Sequence, residues 1–446
     1  MNIIILGAGR VGESVAENLV SEKNDITVID IDPLRLRVLQ DRLDLRCVVG
    51  NGIQPSVLEQ AGIRDADMLI GCAAADETNL VACKVAHDLY SVSTTIARLR
   101  SPEFVAGSPL MDNSGFAVEE VICPEASVTA MISKLIDYPQ ALQVLEFAEG
   151  LVSLIVVRAQ TGGLLAQHRL GEIRELAPSL DLRIVAIYRQ EAMLPELGGA
   201  TRIEPGDEVF VLAPTAQIRD MLAAMHPAGA RPVRRVIIAG GGNVGLRLAR
   251  ETSGRFQVKV IERERRRCDY MATQLPTQTL VLHGDCTDEA LLESENVRET
   301  DLFAAVTNDD EDNIMSCLLA KRMGAKRVLA LINRRSYADL VQGSQIDIAI
   351  APSHTVIGEL LAYVRRGDVE AVHSLRHGAA EALEAIVRGL HRSDGSEAGT
   401  EARPEVIMAH HDTVVLPNDH VIIFVPRKRM VRQVEKLFQV SATFLF

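Results

Sequence analysis

The chain has no tryptophan, and all aromatic residues together make up only 4% of its 446 positions. Cores so poor in rings must be filled by valine, isoleucine, leucine and alanine, which suits parallel sheets covered by helices on both faces. No apolar run approaches the roughly 20 residues that a membrane-crossing helix needs; runs such as residues 151–157 have the length of a strand. The start passes directly into a strand-like run, with no basic leader or cleavage site. These absences predict a soluble, cytoplasmic protein. Positive charge is also scarce: 47 Lys and Arg face 60 Asp and Glu, a formal net charge of −13. Such a surface repels phosphate backbones and argues against a nucleic-acid partner. The seven cysteines (47, 72, 83, 123, 268, 286 and 317) form no CxxC pair and no zinc spacing, so they read as reduced core residues.

What is present is present twice. Ile5-Leu6-Gly7-Ala8-Gly9-Arg10-Val11-Gly12 returns, shifted by 233, as Ile238-Ala239-Gly240-Gly241-Gly242-Asn243-Val244-Gly245. Gly50-Asn51-Gly52 returns as Gly284-Asp285-Cys286, and Asp76-Glu77-Thr78-Asn79 as Asp310-Glu311-Asp312-Asn313, both shifted by 234, with Cys83 and Cys317 in the same register. Within each copy, short apolar runs alternate with helical periodicity, the mark of a doubly wound parallel sheet. A smaller, strand-rich segment follows each copy. Pro205-Gly206-Asp207 before an apolar run and a helix in the first is echoed by Pro417-Asn418-Asp419 in the second, and is read as turn chemistry alone. The predicted architecture is therefore α/β, two tandem Rossmann-like doubly wound parallel sheets, each followed by a small α+β C-lobe. The boundaries are 1–125 and 233–352 for the sheets, and 140–226 and 368–446 for the lobes.

A lone GxGxxG says little, but here each copy has an apolar strand before it, a helix after it and an acid about 20 residues on. Gly7 and Gly240 are expected to make the tight turn, and Gly9 and Gly242 to let a pyrophosphate approach the backbone. Gly12 and Gly245 are expected to let helix and strand pack closely. The diphosphate would rest on the free N–H groups of the helix start. Asp30 and Glu262, at the ends of the second strands, would accept from the adenine ribose hydroxyls and repel a 2′-phosphate, favouring NAD over NADP. The alternatives are tight turns that hold no ligand, or another adenine nucleotide such as ATP at the same sites.

A dehydrogenase also needs a proton-transfer group beside the nicotinamide. Tyr188 and His168 stand isolated. His373 and His377 lie four apart on an expected solvated helix, and His410-His411 reads as loop. The acidic run Asp309-Asp310-Glu311-Asp312 fits helix capping better than a cation site. No metal site is expected. An oxidoreductase acting on a small carbonyl and a redox-sensing transcription regulator remain open, the first lacking an acid–base group and the second a basic helix-turn-helix segment.

The segments ILGAGRVG, VIDID, DADMLI, DETN, IARLRSPEF, VAIYR, EPGDEVFVLAP, TNDDEDNIMSCLLAKRMGAK and LINRRSYADLVQGSQIDIAIAP resemble the RCK (regulator of K⁺ conductance) family. The paired units resemble its members that serve as cytoplasmic subunits of bacterial Trk-type potassium uptake. The resemblance implies a regulatory, non-enzymatic protein that binds NAD⁺ or NADH, with ATP or ADP as further ligands. It implies a homo-oligomeric ring, a tetramer, on the inner face of the membrane beneath an integral potassium channel subunit of the Trk type. Carried over by matching position, Gly7, Ala8, Gly9, Arg10, Val11, Gly12, Asp30, Ala73, Ala74 and Arg98 would line the first site. Gly240, Gly241, Gly242, Asn243, Val244, Gly245, Glu262, Thr307 and Asn308 would line the second. Arg98 would reach a phosphate; Asn333 is the residue nearest to it in the second copy. The second C-lobe is 16 residues shorter than the first, with the loss around residues 388–412, so that lobe is expected to be incomplete.

Overall fold

The computed structural model describes residues 1–438 except 21, 23, 102–103, 105–107, 191, 228–231, 342–344, 365–368, 376–379, 388–405 and 410–412. Six strands form the first sheet: β1 (Asn2–Leu6), β2 (Asp25–Asp30), β3 (Arg46–Val49), β4 (Met68–Gly71), β5 (Thr94–Arg98) and β6 (Glu120–Ile122). Their order is β3-β2-β1-β4-β5-β6, and every pairing is parallel. Four of the five β1 residues, Ile3 to Leu6, are buried, because helices cover both faces. The order reverses between β2-β1 and β1-β4, which opens a crevice at the carboxyl ends of the strands.

The second sheet is antiparallel: β7 (Ala141–Phe147), β8 (Val152–Arg158), β9 (Arg183–Arg189), β10 (Ala192–Met193) and β11 (Glu208–Pro214), in the order β10-β9-β11-β8-β7. Asp207, just before β11, does more than turn the chain. One oxygen accepts from Arg189 Nε at 2.9 Å, and the other from Arg189 Nη2 at 2.9 Å and from Glu204 N at 2.8 Å. It is a bidentate clamp, 1% exposed, that fastens the turn to β9.

The third sheet repeats the first: β12 (Arg235–Ala239), β13 (Gln257–Glu262), β14 (Leu280–His283), β15 (Leu302–Ala305), β16 (Val328–Leu331) and β17 (Ile348–Ile350), in the order β14-β13-β12-β15-β16-β17. The fourth has three antiparallel strands among the described residues, β18 (Val369–Leu375), β19 (Ala380–Ile386) and β20 (His420–Val425). They match β7, β8 and β11. Asp419 keeps the turn bond, accepting from Leu416 N at 2.7 Å. Between β19 and β20 no counterpart of β9 or β10 occurs among the described residues. Most of residues 388–412, where the shortening is expected, lies outside them.

His373 corrects the sequence reading. It sits on β18 opposite Ala382, not on a helix, with its ring edge-on to Phe147 at 4.9 Å. A register shift between Val369 and Ala371 breaks the alternation that would have revealed the strand. Burial pushes its imidazole down to about 4. His377, His410 and His411 lie outside the described residues.

Two compact units emerge. One comprises Met1–Ser127 and Pro352–Glu359; the other comprises Val128–Ala351 and Leu360–Phe446. The grouping does not follow the repeat, since the first C-lobe shares a unit with the second Rossmann-like sheet. Within that unit Arg327 donates to the carbonyls of Leu135 and Ala141 at 3.4 and 2.5 Å. The ring-poor core predicted from composition is mostly aliphatic there, from Val128 and Ile155 to Val260 and Leu329. Five of the seven cysteines are buried, and burial pushes the Cys72 thiol up to about 12.

Candidate nucleotide sites

Each crevice is built by three glycines with different tasks. Gly7 and Gly240 have φ of +104° and +108°, a backbone region that costs any other residue strain. Gly12 and Gly245 begin the packing of the helices Arg10–Val20 and Asn243–Thr252. A Cβ on either would lie 1.9 Å from the carbonyl oxygen of Gly7 or Gly240. The middle glycines differ. A Cβ on Gly242 would meet nothing within 4 Å, and one on Gly9 only the tip of Arg35 at 3.9 Å. Neither has a left-handed φ. The fold itself does not require glycine there. Both helices open at this residue, Glu13 N bonding Gly9 O at 2.8 Å and Leu246 N bonding Gly242 O at 2.9 Å. Gly242 offers no side-chain cap, so the first amides of its helix remain available to an anion.

The predicted ribose acids close the other side of each turn. Asp30 accepts from Ala8 N at 2.5 Å and from Asp32 N at 2.8 Å. Glu262 accepts from Gly241 N at 2.7 Å and from Glu264 N at 2.7 Å. Each oxygen thus carries one bond, and a carboxylate oxygen can accept two. The acids tie the glycine loop to the strand end and retain capacity for a hydroxyl.

Residues treated in the sequence only as repeat landmarks hold the third wall. Asn79, 0% exposed, accepts from Ala73 N at 2.8 Å and donates to Ala73 O at 3.1 Å and Arg98 O at 2.8 Å. Asn313 does the same with Thr307 N at 2.9 Å, Thr307 O at 3.1 Å and Leu331 O at 2.8 Å. Each amide staples the loop after one central strand to the end of the next strand. Asp76 accepts from Arg100 N and Ser101 N, both at 2.9 Å, and Asp310 from Asn333 N at 2.9 Å and Arg334 N at 2.8 Å. This register corrects one correspondence: Asn333 matches Arg100, and Leu331 takes the place of Arg98. Sequence spacing missed it because the second copy is one residue shorter between the buried amide and the strand end. Asp309 caps its helix, accepting from Asp312 N at 3.0 Å, and no group of three or more metal-ligating side chains occurs among the described residues.

Arg98, at the end of β5, donates to Glu125 at 3.0 Å with 11% of its side chain exposed, and its buried Nε has no partner. Two further guanidiniums escaped the sequence reading. Arg35 lies against Gly9 and pairs with Asp32 at 3.4 Å. Arg267 donates from Nε to Gly241 O at 2.6 Å. Both follow the ribose acid by five positions, a constant offset that could have flagged them.

In the second copy these walls enclose about 340 Å³. The lining includes Gly240, Gly242, Glu262, Arg267, Thr307 and Asn308. Such a volume lies in the range of small-ligand pockets.

Fold and sites together define a tandem Rossmann-like protein with two glycine-turn cradles, each ending in a small C-lobe. A family model described as the TrkA-N domain matches residues 3–124 and 236–352, and one described as the TrkA-C domain matches residues 154–226. The chain is 49% identical over 460 residues to the Trk system potassium uptake protein TrkA of Halomonas elongata, covering 100% of each. The chain belongs to the TrkA family of Trk-system potassium uptake proteins. Its fold is also similar to the structure titled "Crystal Structure of the GsuK RCK domain", with a TM-score of 0.60 at 16% identity over 81% of this chain and 75% of that one. The structure titled "GsuK channel bound to NAD" gives a TM-score of 0.60 at 15% identity over 86% and 67%. The relative is named for potassium uptake, which sets the oxidoreductase reading aside. Among the described residues no helix is long and apolar enough to cross a membrane.

Proposed function

We propose that the chain is a cytoplasmic regulatory subunit that binds NAD⁺ or NADH at both cradles and so gates a Trk-type membrane potassium channel subunit. The observation that carries this reading is the middle glycine. A Cβ on Gly9 would meet only the tip of Arg35 at 3.9 Å and one on Gly242 nothing within 4 Å, and neither φ is left-handed, so the bare backbone there is left open to a ligand rather than demanded by the fold. The reading assigns the diphosphate to the amides of residues 9–12 and 242–245. It assigns the ribose to Asp30 and Glu262, and the flanking wall to Ala73, Ala74, Thr307 and Asn308. Arg98 would release Glu125 to meet a phosphate. The NAD bound in the structurally similar GsuK channel supports the cofactor class; ATP and ADP would compete for the same amides.

Regulation then follows from linkage. A ring of subunits, a tetramer in this reading, has shapes that favour an open or a closed channel, and the nucleotide shifts their balance by as much as its affinities for them differ. Calorimetric titration of NADH into the wild type, Asp30→Arg and Glu262→Arg tests the sites. Each variant should lose one class of binding event; full binding by both would refute the assignment. Capture of the membrane partner by the purified chain, with and without NADH, tests the coupling. Equal capture and equal potassium flux would refute it.

A further inference from the structure

The two cradles differ in charge. Besides Glu262 and Glu264, the second pocket is lined by Asp285, Asp309 and Asp312, against two guanidiniums, Arg263 and Arg267. At the matched positions the first copy has Asp30 and Asp32, then Asn51, Ala75 and Thr78, with Ile31 and Arg35 for the arginines. The second pocket thus holds five carboxylates and two cations where the first copy has two and one. Hydrogen bonds from Thr287 and from the Asp312 amide hold Asp285 and Asp309 below the usual carboxylate range, whereas Asp312 feels their charge. Asp312 is held above the usual carboxylate range by burial, and next by the charges of Asp309 and Asp285. Arg263 reaches Asp312 only at 3.9 Å, with 79% of its side chain exposed, so it offsets little. Arg98, the one cation at the end of β5, is replaced by Leu331 in the second copy. These carboxylates do not gather into a metal site among the described residues.

We infer that the second cradle selects its nucleotide by charge, admitting the oxidised dinucleotide and rejecting nucleoside triphosphates, with Asp285, Asp309 and Asp312 as the specificity determinants. The inference rests on the proposed nucleotide function and adds a difference between the two sites. A triphosphate carries about four negative charges at neutral pH and NAD⁺ about one. Each ligand charge about 8 Å from one carboxylate loses roughly sixfold in affinity at an effective dielectric of about 40. Salt and Arg263 reduce the sum, but at least about a tenfold preference for NAD⁺ over ATP should remain. NADH, with one more negative charge than NAD⁺, should fall between them.

The test uses the full chain with the first cradle blocked by Gly9→Val, whose Cβ would meet only the tip of Arg35 at 3.9 Å. NAD⁺ and ATP are titrated calorimetrically into this background and into the same background carrying Asp285→Asn, Asp309→Asn and Asp312→Thr. Asparagine keeps the capping acceptor at residue 309, and Asp312→Thr alone serves as a second variant should the combination fold poorly. The expected result is preference for NAD⁺ in the parent. In the neutralised chain ATP should bind about tenfold or more tighter, NAD⁺ should change by less than about threefold, and the salt dependence should weaken. Equal binding of ATP and NAD⁺ by the parent, or ATP affinity unmoved by neutralisation, overturns the inference and leaves the nucleotide function standing. Absence of nucleotide binding in both the Gly9→Val background and the wild type overturns the function as well.

Discussion

The buried amide of Asn79 gives the sharpest test of how the cradle wall is held. Asn79→Ala removes three hydrogen bonds and leaves Ala73 N, Ala73 O and Arg98 O without their partner. At about 1 kcal/mol for each bond, and more where a group stays buried and unsatisfied, the loss should be about 3 kcal/mol. Asn79→Asp is more discriminating. It keeps the acceptor for Ala73 N but turns the donor into a carboxylate oxygen facing two carbonyls. Burial and repulsion would raise the folded carboxyl above its unfolded value of about 3.9. The penalty should therefore be absent below that value and grow as pH rises through it, so Asn79→Asp gains stability relative to wild type on acidification. Urea denaturation at pH 7 and pH 5, with hydrogen exchange on peptides spanning β4 and β5, measures both. A loss below about 1 kcal/mol for Asn79→Ala, or wild-type stability of Asn79→Asp at pH 7, would refute the staple. Asn313 variants should repeat the pattern in β15 and β16.

Gly12→Ala and Gly245→Ala place a Cβ 1.9 Å from a backbone oxygen; each should lower stability by about 3 kcal/mol or more and abolish one nucleotide site, read by thermal melting and calorimetry. Asp207→Asn leaves the Arg189 guanidinium without its bidentate partner and should cost about 2 kcal/mol, measured by urea denaturation. His373 has a folded value of about 4 against an unfolded value of about 6.5, so the stability tied to its neutral form is full above 6.5 and lost as pH falls toward 4. Replacing it by glutamine should shrink the loss between pH 7.5 and pH 5 by about 2 kcal/mol; an unchanged loss would contradict its burial.

The sequence made the doubled parallel sheets legible because their signals are local. A fully buried strand such as Ile3 to Leu6 is a continuous apolar run, and each glycine turn lies between strand and helix. The ribose acids were legible for the same reason. The amides of Asn79 and Asn313 were visible only as repeat markers, since their work is to join segments 18 and 19 residues apart, which no periodicity reports. β7 and β18 escaped notice because a bulge near the start of each shifts the alternation. Asp207 read as a turn residue because its partner Arg189 lies on another strand. The grouping of the first C-lobe with the second Rossmann-like sheet depends on contacts between distant segments, which tandem order conceals.

Because a Cβ at Gly9 or Gly242 meets little or nothing, a mutational survey scored by protein abundance should rank small side chains there as near neutral. One scored by growth on scarce potassium would rank them as damaging. On the proposed function, either cradle can then be silenced without loss of the polypeptide, leaving evolution free to retire or retune one input while the fold around it stays whole.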